Sequence, residues 1–223
     1  AVLEHLSEPG RQLKELLKRV QNGTCIAVEV PDLESFDAAH GEPLGELSLE
    51  HINYFSRSSL RNLFASVGCV ELCCQRVKHS SGGSLLALYR KENALHSGVQ
   101  VKDTELMQNY VRISTERLHS LLHKVVSKLH APFIIYGAGS HTARILPMLS
   151  DASRQFPILA IVDNNPNLVG KQVDGIPIVS SAKLSDYPDM ETLISSFRYE
   201  KEIKNFLEKK GDVRKILTIY MDE

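Results

Sequence analysis

The sequence predicts an α/β chain built as two units joined by a connector helix, the second unit a small doubly wound sheet. Three observations carry this. Short apolar runs alternate with stretches of helical periodicity along most of the chain. Two of the runs flank His79-Ser-Ser-Gly-Gly83, which is hairpin chemistry. One long helical pattern over residues 103–129, marked by Leu106, Tyr110, Leu118, Leu122 and Leu129, separates two such alternations. The resulting division is residues 1–95, a connector over 96–130, and residues 131–223.

The elements follow in order. Leu13, Leu16, Leu17 and Val20 recur at helical spacing, with Ser7 as candidate N-cap, Pro9 in the first turn and Gly23 as the stop. Residues 24–30 read as a buried strand that Pro31 ends. A polar stretch from Asp32 to Glu50 has no period and reads as a long loop, a length that compact domains usually reserve for function. A second helix opens at Ser56, carries Leu60, Leu63, Phe64 and Val67 on one face and stops at Gly68. Strands over 70–77 and 84–89 form the hairpin, which completes an α/β sheet with an antiparallel end. Beyond Pro132 come strands over 133–136, 158–162, 176–179, 191–196 and 215–220. Helices over Ile145–Leu149 and Glu200–Lys210 are interleaved with them. Apolar strands alternating with helices argue a parallel sheet.

Composition narrows the function. The 223 residues are 43% hydrophobic and 24% charged, enough apolar content for a sizeable core, which excludes disorder and fibrous repeats. With 26 basic against 27 acidic residues the formal charge is −1, so there is no basic excess to hold nucleic acid or an anionic membrane. No apolar run reaches the roughly 20 residues of a membrane span, and no secretory signal stands at the start. Cys25, Cys69, Cys73 and Cys74 make no Cys-x-x-Cys pair and lie in apolar stretches. They read as reduced, buried thiols of a cytoplasmic protein rather than a zinc site. His119 and His123, with Glu116, have the i, i+4 spacing of metal ligands, but on a charged amphipathic helix they read as a solvated face. No metal is expected.

In the second unit the sharpest motif is Tyr136-Gly-Ala-Gly-Ser-His-Thr142. A strand turning through Gly137 and Gly139 into a helix brings backbone N–H groups of Ser140 and its neighbours toward an anionic phosphate. Asp163 ends the next strand, near the spacing at which a carboxylate meets a ribose hydroxyl. Gly137, Gly139, Ser140 and Asp163 are therefore the candidate nucleotide-binding residues. Thr142 stands where a third glycine is usual, which alters helix–strand packing, and His141 reads as solvated. Together with Ile161-Val-Asp-Asn-Asn-Pro166, Gly170-Lys171 and Val173-Asp-Gly-Ile-Pro-Ile-Val179, the segment resembles the Rossmann-type domain of bacterial sugar-modifying enzymes. That resemblance implies a fold and a sugar-nucleotide setting.

In the first unit, Val2-Leu-Glu-His-Leu-Ser-Glu-Pro9, Val28-Glu-Val-Pro-Asp32 and Glu50-His-Ile-Asn-Tyr-Phe-Ser56 resemble, in family order, class I S-adenosylmethionine-dependent methyltransferases. With the second unit, they point to the sugar C-methyltransferase type. The resemblance implies the second half of a methyltransferase sheet, followed by the whole Rossmann-like domain. The glycine-rich cofactor loop would lie upstream of Ala1, so this chain alone is expected to be inactive and to bind S-adenosylmethionine weakly. The open edge of the 24–30 strand then requires preceding chain or a second copy to cover it.

Methylating a carbon beside a keto group requires removal of its α-proton. His51 is the candidate base, with Glu50 beside it to orient the ring; Glu4 and His5 are the candidates to line the cofactor pocket. The family often carries a tyrosine two residues before the glutamate, and here that residue is Ser48. A structural or substrate-binding role for His51 stands beside the catalytic one, and Glu4 can equally serve the following helix N-terminus. The partner expected is a nucleotide-linked keto-sugar. The alternatives are a non-catalytic nucleotide-sugar binding module, or a methyltransferase acting on oxygen or nitrogen.

Overall fold

The computed structural model describes residues 2–79, 82–92, 98–188, 190–211 and 215–221. The chain divides into two compact units, 1–115 and 116–223, and the division falls inside one helix. Among the described residues no helix is long and apolar enough to cross a membrane.

The first unit contains α1 (Pro9–Leu17), β1 (Cys25–Pro31), α2 (Arg57–Ser66), β2 (Cys69–His79), β3 (Gly82–Lys91) and the start of α3 (Asp103–Val126). Its sheet is antiparallel, in the order β1-β3-β2, so the hairpin's return strand fits between the other two. β3 alternates accordingly: Leu85, Ala87 and Tyr89 are buried on one face, where Leu13 and Leu17 of α1 and Leu60 and Phe64 of α2 join them in the core. Phe64 stacks flat on Tyr89 with ring centroids 3.9 Å apart. α2 begins as expected, with Ser56 and Ser59 exchanging capping hydrogen bonds.

Three expectations need correction here. α1 is preceded by Glu8 at the N-cap position, with no side-chain cap, rather than by Ser7. β1 is not a buried strand. As the end strand of its sheet it alternates between exposed and half-buried residues, and only Val30 is buried. Cys25 on β1 and Cys73 on β2, the other end strand, are exposed, Cys74 is half-buried, and Cys69 alone of the four is buried. Adjacent Cys73 and Cys74 do face opposite ways, opposite Leu88 and Ala87 of β3. The tip of the hairpin at Ser80 and Ser81 lies outside the described residues.

The second unit contains β4 (Phe133–Tyr136), α4 (Ser140–Ile145), α5 (Ser150–Gln155), β5 (Ile158–Asp163), β6 (Gln172–Val173), β7 (Ile176–Ser180), β8 (Glu191–Ile194), α6 (Glu200–Lys210) and β9 (Lys215–Leu217). The sheet order is β6-β7-β5-β4-β8-β9. It is parallel apart from β6, which returns antiparallel along β7 at the edge. The central strands β4 and β8 are buried at every position. Ile134, Tyr136, Ala160, Val162 and Ile194 share one core with Leu184 and with Leu207 of α6. Phe133, Ile135, Ile161 and Leu193 alternate with them and are completely buried too. Both faces are therefore covered, as a doubly wound sheet requires. The helix expected at 145–149 is broken: α4 stops at Ile145, and Leu146–Leu149 forms a 3-10 turn around Pro147, whose ring cannot donate to the helix ladder.

Candidate functional site

Two irregular segments of the first unit converge on one place. Leu3–His5 is a single 3-10 turn, and residues 50–55 have no regular structure except a bridge from Phe55 to Asp32 at the exit of β1. Hydrogen bonds bind one to the other. The carbonyl of Glu4 accepts from the backbone N–H groups of Ile52 (2.9 Å) and Asn53 (3.0 Å). The Asn53 amide in turn donates to the carbonyls of Leu3 (3.2 Å) and Leu6 (2.6 Å). The clamp brings together Glu4, His5 and His51, whose ligand-type atoms lie within 4.8 Å of one another. The His5 and His51 rings meet edge to face with centroids 4.9 Å apart.

The electrostatics follow from hydrogen-bond accounting. A carbonyl only accepts, so His5 Nδ1, 2.8 Å from the Glu50 carbonyl oxygen, carries the proton. In the neutral ring Nε2 is then the lone-pair nitrogen, and it lies 3.7 Å from Glu4 Oε1, too far for a hydrogen bond. Glu4 is 1% exposed, and its other oxygen, Oε2, has no partner among the described residues. His51 is half-buried, and neither of its ring nitrogens hydrogen-bonds to a described residue. Glu50 enters through its carbonyl alone, with its side chain exposed, so the carboxylate nearest the imidazoles is Glu4. A tyrosine is nevertheless close. The Tyr54 ring lies 6.3 Å from that of His51, and its hydroxyl accepts from Ser48 N–H. Sequence reasoning passed over Tyr54, although it follows His51 by three residues.

In the second unit the structure brings Gly137, Gly139, Ser140 and Asp163 to one end of the sheet. Gly137 has φ +110°, and a Cβ there would sit 2.7 Å from the Ser195 carbonyl oxygen, so only glycine fits. A Cβ on Gly139 would meet open space. Asp163 ends β5 beside the loop, and its carboxylate accepts from Ala138 N–H (2.7 Å) and Asn165 N–H (2.7 Å). One loop amide that a phosphate would use is therefore held by a carboxylate, while each Asp163 oxygen keeps a second lone pair.

His141 is not solvated. It is 7% exposed, with Nδ1 2.8 Å from Ser195 Oγ and Nε2 2.6 Å from the Tyr220 hydroxyl. Thr142, in place of the third glycine, reaches the Gly137 carbonyl (2.5 Å) and Ser195 Oγ (2.7 Å). One arrangement of protons uses every donor once. Tyr220 O–H donates to Nε2, Nδ1–H to Ser195, Ser195 O–H to Thr142, and Thr142 O–H to Gly137. This chain ties the Gly137 loop to the exit of β8 and to the strand-end segment at Tyr220. Burial pulls the imidazole down to about 4 from its ordinary 6.5.

A family model described as C2185-like, N-terminal, matches residues 130–217. No curated protein matches. Among solved structures, the chain is similar to RSP, a Rex-family repressor. The identity is 17%, covering 57% of this chain and 65% of that one, with a TM-score of 0.34. The structure of RSP in complex with beta-NADH is similar at 18% identity over 54% of this chain and 70% of that one, with a TM-score of 0.33.

The buried His141 sets a pH dependence. In unfolded chain the imidazole takes up a proton as the pH falls through 6.5, whereas in the fold it stays neutral until about 4. Protons therefore favour unfolding across that window. Stability is fully present above pH 6.5 and declines toward pH 4 by roughly 3 kcal/mol. Nuclear magnetic resonance should show one histidine ring that does not titrate between pH 8 and 5, and His141→Gln should remove that signal and flatten the stability slope. A His141 resonance titrating near 6.5 in folded protein contradicts the buried chain.

Proposed function

We propose that this chain is the late part of an S-adenosylmethionine-dependent methyltransferase that methylates a carbon of a nucleotide-linked keto-sugar. His51 is the base that removes the α-proton. The observation that carries this reading is the convergence of Glu4 and His5 with His51, from segments some 45 residues apart in sequence. A base needs an imidazole lone pair that no protein group already occupies, and the His51 ring nitrogens are unengaged among the described residues. The half-buried ring is open to a substrate. Glu4 and His5 would hold the cofactor. The unpartnered Glu4 oxygen requires a hydrogen-bond donor, and the cofactor offers hydroxyls and an amine. When bound, that cofactor supplies the methyl group. The open edge of β1 supports a larger sheet, because further strands can pair there.

Deuterium exchange at the sugar α-carbon, followed without methyl transfer in the protein that carries this chain, tests the assignment. His51→Ala should slow exchange by about 10²–10⁴-fold with little change in substrate affinity. Glu50→Gln should cost far less, since Glu50 is exposed and joins the cluster through its backbone carbonyl. Exchange unchanged in folded His51→Ala would assign the base elsewhere.

For the second unit we propose binding of a nucleotide through its ribose. This is favoured by Asp163 seated beside the loop with lone pairs to spare, and by the open space at Gly139. Titration with a nucleoside-diphosphate sugar should saturate, and Asp163→Asn should weaken it at least about tenfold, as expected when a charged hydrogen-bond partner is lost. Equal affinity in the two proteins would leave this unit a scaffold.

A further inference from the structure

The Glu4, His5 and His51 cluster has more acceptors than donors: with both rings neutral, the single free N–H is the one on His51. His5 Nδ1 is committed to the Glu50 carbonyl, so its Nε2 lone pair faces Glu4 Oε1 at 3.7 Å. Two acceptors face to face repel unless a positive charge lies between them. Glu4 Oε2, buried in a residue 1% exposed, adds a third unmet acceptor, and His51 brings an unengaged imidazole within 4.8 Å. Leaving a buried carboxylate oxygen unpaired is costly, so the arrangement calls for a cation.

We propose that Glu4, His5 and His51 bind one divalent first-row transition ion, with zinc the best fit, through two imidazole nitrogens and one carboxylate. The ligand chemistry selects the ion class. Paired imidazoles suit zinc and its neighbours, whereas magnesium and calcium prefer all-oxygen shells. Bonds of about 2.0–2.1 Å at the tetrahedral angle place ligand atoms roughly 3.3 Å apart. His5 Nε2 and Glu4 Oε1, at 3.7 Å, are nearly there, and the His51 ligand atom lies within 4.8 Å of both. The outer support is present as well. The Glu50 carbonyl fixes the His5 tautomer, as the partners of metal-bound histidines commonly do. Three protein ligands leave a coordination position open to water or another small ligand. The half-buried His51 and exposed His5 give an ion access from solvent.

This inference goes beyond the methyltransferase reading and stands without it. The two compete for the same three residues: Glu4 and His5, which would hold the cofactor, and His51, whose lone pair cannot hold an ion and accept a substrate proton together. A bound ion therefore blocks base catalysis, and the cluster is a point of inhibition by metal.

Zinc affinity of the chain is to be measured by competition with a chromophoric chelator, with cobalt absorption as a second readout. One equivalent should bind. Glu4→Gln, His5→Asn and His51→Ala should each weaken binding by at least about tenfold, the lower end of what even an outer-shell partner costs. The His119→Ala and Cys25→Ser variants should leave it unchanged. Zinc should shift the ring resonances of His5 and His51 together and leave that of His141 in place, a readout that does not depend on how any variant folds. The proposal is overturned if no stoichiometric ion binds, if binding survives in all three ligand variants, or if only the control variants lose it. Zinc binding with normal proton exchange in His51→Ala would remove the methyltransferase reading and keep this one; the reverse result would do the opposite.

Discussion

Asn53 is the residue on which the candidate site depends. Neither the Leu3–His5 turn nor residues 50–54 belong to a sheet, so nothing in the regular architecture aligns them. The Asn53 amide spans the turn by donating to Leu3 and Leu6, while Glu4 returns its carbonyl to Ile52 and Asn53. With His5 Nδ1 donating to the Glu50 carbonyl, five hydrogen bonds between two short loops bring the three functional side chains together. At about 1 kcal/mol each they order the loops together, and loss of the Asn53 side chain, which supplies two of them, would loosen the clamp. The Phe55 bridge to Asp32 then anchors the assembly at the exit of β1.

Two of the polar clusters differ in the balance of their donors and acceptors. The chain from Tyr220 through His141, Ser195 and Thr142 to Gly137 balances its donors and acceptors, and burial keeps its imidazole neutral. A balanced, buried network holds structure in place. The cluster of Glu4, His5 and His51 does not balance: its acceptors outnumber its donors, and one carboxylate oxygen has no partner. Imbalance of that kind destabilises a fold, and natural proteins keep it where a ligand or a reaction uses it. A proton from substrate and a metal ion are two ways of meeting the same deficit.

Much of the architecture was legible in local pattern. The strand at 133–136, the helix at 200–210 and the capped start at Ser56 stand where periodicity, Pro132 and the serine pair put them. What escaped was set by distant partners. His141 is buried because Ser195 and Tyr220 surround it, 54 and 79 positions along the chain, and no window of sequence contains all three. Cys25 and Cys73 look buried in apolar runs, yet β1 and β2 are the two end strands of their sheet, and both thiols face outward. Pro147 was a readable signal for the break after Ile145, but apolar spacing across 145–149 masked it. At the site, Glu4, His5 and His51 were each legible as chemistry, whereas their meeting, and the entry of Glu50 by its carbonyl, were not. Residue type shows what a side chain can do; only the clamp shows what it does it with.

The 3–6 and 50–54 segments form a single site, clamped by the Asn53 side chain together with the Glu4 and Glu50 carbonyls. The most direct test is magnetization transfer between the His5 and His51 ring protons in the folded chain, recorded with and without Asn53→Ala. Rings with centroids 4.9 Å apart should show a clear cross-peak in the natural sequence, and loosening the clamp should weaken it while the core resonances of Phe64 and Tyr89 persist. No cross-peak in the natural sequence, or one that Asn53→Ala leaves untouched, would contradict the account.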